Sequence, residues 1–240
     1  QQRDAVVTLP VHVGVVAAST QKHTDRRRRH PSRRKRKEER AKSGTRVVTG
    51  VIHNLARSVR AFTSNVFLVT GETTALVDAG SNFDVVSRID EHVDDLDRIY
   101  LTHTHPDHVE NLPAIRSAFD VETWGFDPTN EHVDTVVDDG DRVPLGDDDY
   151  EALHTPGHKA DHLCLYSRSA GVCFAGDLVF ANGAFGRTDL EGGDRETLVD
   201  SIAYLQRSLE EDLDVIHVGH GPSITERPLD DVETAIRAAQ

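Results

Sequence analysis

The sequence predicts an α/β chain with sheets inside and helices outside. Three observations predict it. Short apolar runs bounded by Gly, Pro, Asn and Asp recur after residue 46, as buried strands do. Between them stand segments with apolar residues at helical spacing. The hydrophobic fraction is 37% of 240 residues, enough for a sizeable core. No apolar run reaches the roughly 18 residues that a membrane-crossing helix needs.

Taken in order, "RVVTGVIHNL" and "FTSNVFLVTG" read as two strands, and "TTALVDAG" as a third after the Gly71-Glu72 turn. "NFDVVSRIDEHV" has helical spacing, with Asn82 or Asp84 near its start as a cap. "RIYL" is a short buried strand running into "THTHPDH". "VENLPAIRSAF" is a helix that Pro113 makes start late or kink. "VETWGF", "HVDTVV", "RVPL", "YEALHT", "HLCLYS" and "GVCFAGD" follow as short strands. "DRETLVDSIAYLQRSL" puts Leu198, Ile202, Leu205 and Leu209 on one face of an amphipathic helix. "DVIHVGHG" is a buried strand ending in a glycine-rich turn, and "LDDVETAIRAA" a last helix.

Charge divides the chain. Residues 22–46 hold 13 Lys/Arg and 3 Asp/Glu, a net of +10, whereas residues 47–240 hold 13 Lys/Arg and 37 Asp/Glu, a net of −24. Only one of the latter basic residues is lysine, Lys159. Carboxylate-rich, lysine-poor surfaces suit a high-salt cytoplasm, where screening removes self-repulsion. Residues 1–45 read as a disordered or non-native extension; the chain opens on Gln and has no Met, so its true start is not visible. A nucleic-acid arm is the lesser reading, and the acidic domain at 46–240 repels nucleic acid. Basic-after-apolar is the wrong order for a secretory signal. Cys164 and Cys173 sit in apolar runs and read as reduced, buried thiols of a cytosolic protein.

The chemistry concentrates in "LTHTHPDH", where three histidines and an aspartate fall within six positions. In extended chain, side chains two apart point the same way, so His103 and His105 can share one ion. Pro106 keeps His105 out of helix, and the turn after it redirects Asp107 and His108 toward a second ion. Imidazole and carboxylate suit zinc, iron or manganese. Three more strand ends offer ligands: His158 in "HTPGH", Asp177 in "FAGD" and His220 in "VGHG".

His-x-His-x-Asp-His, then TPGH, GD and GHG in this order, resembles the metallo-β-lactamase-fold hydrolase superfamily over about residues 46–240. The resemblance implies an αββα sandwich of two mixed β-sheets flanked by helices, with two divalent metals at one edge. His103, His105 and His158 would hold the first metal, and Asp107, His108 and His220 the second. Asp177 would bridge them, and Asp78 in "LVDAG" would lie just outside the ligands and orient the loop. The other histidines read as solvated or core, with His162, four residues after His158, the one to watch.

With Asp177 present and "GRTDLEGGD" following, the chain resembles the glyoxalase II-like (hydroxyacylglutathione hydrolase-like) branch. "GRTD" also resembles persulfide (sulfur) dioxygenases, while "GGD" leans to the hydrolases. The family often has glycines where this chain has Glu110-Asn111, and the glutathione-binding helical domain has no counterpart after His220. The implied reaction is hydrolysis of a small-thiol thioester by a metal-bridging hydroxide. Asp107 would accept the proton, and Arg187 would meet a substrate carboxylate or pair with an acidic neighbour. The competing reading is a mononuclear iron persulfide dioxygenase using His103, His158 and Asp177. An RNA nuclease is disfavoured by the acidic domain, and a non-catalytic role by seven filled ligand positions.

Overall fold

The computed structural model describes residues 50–240. The basic extension assigned to residues 1–45, and the first residues of the first strand, lie outside the described residues.

Strand residues alternate between two faces, yet here both faces are apolar, which requires cover on each side. One sheet has six strands in order: β1 (Val51–Asn54), β2 (Phe67–Thr70), β3 (Ala75–Val77), β4 (Arg98–Tyr100), β5 (Thr123–Gly125) and β6 (Thr135–Val136). The pairs from β1 to β3 are antiparallel and those from β3 to β6 parallel. The second sheet comprises β7 (Arg142–Leu145), β8 (Asp148–His154), β9 (Leu163–Ser167), β10 (Val172–Phe174) and β13 (Val215–His217). Its order is β13-β10-β9-β8-β7, with β10 and β13 parallel and the rest antiparallel.

Between the sheets pack Phe67, Val69, Val77, Tyr100, Tyr150, Leu163, Leu165 and Phe174. The opposite face of the first sheet, with Leu68, Leu76 and Ile99, is covered by helices α1 (Val85–Asp90) and α3 (Leu112–Phe119), through Ile89, Ile115 and Phe119. The outer face of the second sheet, with Cys164, Cys173 and Ile216, is covered by α4 (Arg195–Ser208) and α5 (Pro228–Ala239), through Leu198, Ile202, Leu205 and Val232. This is the four-layer αββα sandwich. Asp84 caps α1 and Asp194 caps α4, each carboxylate accepting a backbone N–H three residues on. Both thiols are free and buried, and burial pushes Cys164 up to about 12, so neither is a thiolate at neutral pH.

Two segments depart from the sequence reading. The turn after His105 is a single helical turn, α2 (Pro106–Val109), because a proline's fixed φ suits the first helical position. Between "FAGD" and "GRTD", where no strand was expected, β11 (Val179–Phe180) and β12 (Ala184–Phe185) form a small hairpin around a tight turn where Asn182 takes φ 63°.

Candidate metal centre

Five strand ends meet at one edge of the sandwich. Asp78 follows β3, and His103 and His105 follow β4. His158 follows β8, Asp177 follows β10, and His220 follows β13. His105 is extended (φ −68°, ψ 148°), which keeps it on the same side as His103. The turn of α2 then carries Asp107 and His108 round to a neighbouring position.

The seven side chains converge. The ligand atoms of His103, His105 and His158 lie within 4.8 Å of one another, as do those of Asp107, His108 and His220, and those of His103, His108 and Asp177. Asp177 stands between the two trios. Its Oδ2 is 3.5 Å from His158 Nε2 and 3.5 Å from His220 Nε2, and its Oδ1 is 3.6 Å from His108 Nε2.

The outward nitrogens are tied down. His158 Nδ1 donates to Arg187 O at 2.8 Å, and His108 Nδ1 to Asp78 Oδ2 at 2.8 Å. His103 Nδ1 faces Thr102 Oγ1 at 3.1 Å; that hydroxyl donates to Asp78, so the ring is its donor. Each bond leaves the Nε2 lone pair of its ring aimed into the cluster. Asp78 sits at the hub, also accepting from Thr102 N at 2.8 Å, and adopts φ 61°, a strained backbone for a non-glycine residue.

The residues fit divalent cations. His108 Nε2 and Asp177 Oδ1 are buried without a hydrogen-bond partner, a costly state that a shared cation relieves. His105 Nδ1 lies 3.0 Å from His103 Nε2 and 2.9 Å from His158 Nε2, so three imidazole nitrogens crowd one point. Burial lowers His103 well below its usual range and His105 to about 4, which keeps these rings neutral and able to ligate. Around His108 the balance reverses. Burial would lower it, but the Asp78 and Asp177 carboxylates outweigh burial and raise it to about 10. The two carboxylates thus favour positive charge at His108, which a bound cation would supply in place of a proton.

One residue that sequence reasoning left open acquires a place here. His162 is fully buried; its Nε2 accepts from the backbone N–H of Asp177 at 3.0 Å, and its Nδ1 faces Thr155 Oγ1 at 2.8 Å. It fixes the backbone from which Asp177 projects. The spacing four residues after His158 was the only signal of this. His217 is wedged between Phe67 and Phe174, and His154 stacks on Phe126, as core or packing histidines do. Arg187 contributes its carbonyl to His158, while its guanidinium forms a two-pronged pair with Asp189 at 2.7 Å on the surface.

Similarity to known proteins agrees with this geometry. Residues 59–220 match the family model described as the metallo-beta-lactamase superfamily. Hydroxyacylglutathione hydrolase GloC of Haemophilus influenzae is 31% identical over 192 residues, covering 70% of this chain and 90% of that protein. A hydroxyacylglutathione hydrolase of Klebsiella pneumoniae is 34% identical over 161 residues, but the chain spans 62% of its length. The solved structure of TTHA1623 in a di-iron-bound form superposes with a TM-score of 0.58 at 27% identity, covering 74% of this chain and 94% of that one. The layered fold, the edge cluster and the match over residues 59–220 lead to one conclusion: the chain belongs to the metallo-beta-lactamase superfamily.

Proposed function

We propose that this protein is a binuclear metal-dependent hydrolase acting on thioesters of a small thiol. The observation that carries the reading is Asp177 standing between two separate ligand trios, His103–His105–His158 and Asp107–His108–His220. A mononuclear iron dioxygenase holding its metal on His103, His158 and Asp177 would leave Asp107, His108 and His220 gathered around no ion. The thioester class is supported by the likeness to GloC across 90% of that protein's length. The donor set suits zinc; iron and manganese accept the same ligands.

His103, His105, His158, Asp107, His108, His220 and Asp177 would hold two divalent ions, which would supply hydroxide at neutral pH and Lewis-acid polarisation of a carbonyl. The chain's own part is to place the groups around them. Asp78, Thr102 and the Arg187 carbonyl hold the imidazoles in one tautomer and orientation. Asp107, half-buried and 3.0 Å from His220 Nε2 through Oδ2, is the proton acceptor beside the attacking water. The test is elemental analysis together with a hydroxyacyl-thioester assay. Two equivalents of metal and hydrolysis are expected. One equivalent of iron with oxygen uptake on a thiol persulfide would replace this reading with the dioxygenase.

Arg187 is proposed to exchange Asp189 for a carboxylate of the substrate's thiol portion. Both side chains of that pair are more than half exposed, so the exchange costs little. Arg187→Ala should raise KM for an anionic thioester by up to about tenfold and leave a neutral thioester nearly unchanged. Equal losses on both substrates would mean that the side chain only steadies the loop whose carbonyl orients His158.

The acidic surface carries its own expectation. A net charge of −24 over residues 47–240 is self-repulsive in dilute buffer, and we propose that the protein is adapted to high salt. Thermal melts should rise steeply between about 0.1 M and molar KCl, where the screening length shrinks from about 10 Å to about 3 Å. A flat profile would rule the adaptation out.

A further inference from the structure

We propose that Lys159, Thr104, Asp161 and Asn130 form a polar brace behind the histidine loops, and that this brace positions His103, His105 and His158 for the first metal ion. The inference rests on the metal reading above.

Thr104 lies between His103 and His105. On an extended stretch its side chain leaves the opposite side from theirs. There its hydroxyl donates to Asp161 Oδ2 at 2.6 Å and accepts from Lys159 Nζ at 2.7 Å and from Asn130 Nδ2 at 3.1 Å. One donor and two acceptor positions exhaust a hydroxyl's capacity. Lys159 Nζ also donates to Asp161 Oδ1 at 3.1 Å, closing a ring of three groups.

The brace joins chain segments that are otherwise remote. Lys159 directly follows His158, and Thr104 separates the other two histidines, so all three imidazoles hang from backbone next to it. His105 and His158 meet at 2.9 Å, a contact that a small drift of either loop would open. Asp161 is 5% exposed and Lys159 23%, so the ion pair is largely shielded from water and from salt.

The residue choice is informative. Residues 47–240 use arginine at every cationic position except this one. A lysine ammonium is a compact charge that can serve two acceptors at different angles, whereas the guanidinium fork demands a planar site. The one lysine of residues 47–240 thus stands beside the histidine loops, where two acceptors at different angles are to be served.

None of the four residues touches the reacting atoms; they are positioning residues. The test is stepwise chelator competition on zinc- and cobalt-loaded full-length protein, well below each variant's Tm. Wild type should release two ions in two steps. Thr104→Val, near-isosteric but without the hydroxyl, and Lys159→Met should weaken the first ion about 10- to 100-fold and leave the second within about threefold. Thr104→Ser should restore wild-type affinity. If either apolar variant fails to fold, Asn130→Ala, which removes one donor alone, should still weaken the first ion about threefold or more. Folded variants with lowered Tm but unchanged affinity for both ions, or with equal weakening of both, would overturn the brace. Wild-type protein that binds no metal would instead overturn the metal reading, and this one with it.

Discussion

Asp177→Ala protein is expected to hold less than two equivalents of metal and to lose more activity than the roughly 10- to 100-fold that removal of an outer partner costs. The reason is position. Among the described residues, Asp177 is the one carboxylate within reach of His158, His220 and His108 at once, at 3.5–3.6 Å. Two cations held side by side repel each other, and a shared carboxylate offsets that repulsion for both. Its loss should therefore affect both ions. His220→Ala should spare the first, whose trio of His103, His105 and His158 stays complete. Elemental analysis after gel filtration measures the difference. Two full equivalents in Asp177→Ala would contradict the bridging assignment.

Gly219→Ala should be almost as damaging, although it removes no ligand. A Cβ at this position would stand 2.0 Å from Asp177 Oδ1 and 3.0 Å from His108 Cε1. The backbone on either side cannot withdraw, so the Asp177 carboxylate has to give way. Gly219 is pinned by its N–H to Gly176 O and by its carbonyl to Asn65 N, both at 2.7 Å, and Asp177 is held at its own N–H by His162. Overpacking of this kind costs about 1–3 kcal/mol. For a domain of this size that lowers Tm by about 2–12 °C. The larger effect falls on the site, since the easiest relief is to push the Asp177 carboxylate away from the histidines. Metal content below two equivalents with a folded far-UV spectrum is expected. Unchanged stoichiometry and Tm would mean that the glycine is there for backbone freedom alone.

These two expectations draw on different kinds of information. The layered fold was legible because it rests on local periodicity. Strand runs apolar on both faces demand cover on both sides, and the 3.6-residue spacing of Leu198, Ile202 and Leu205 says which segments supply it. The gathering of ligands was partly legible for the same reason. Two-residue alternation aligns His103 with His105, and Pro106 ends the extension where the chain must turn. The hairpin at Val179–Phe185 was not legible, since two-residue strands carry no period.

The sequence by itself determined which residue types stand at which strand ends, because that depends on neighbours in the chain. Only the tertiary structure decided what meets what across 15 to 113 positions: Asp177 between two trios, His162 under the backbone of Asp177, and Lys159 locked to Thr104. It also turned Arg187 toward Asp189, leaving its carbonyl to orient His158. The physical reason is that a hydrogen bond or an ion pair is set by distance and direction within a few tenths of an ångström. Those are fixed by how two sheets stack and where their loops end, which no local pattern specifies.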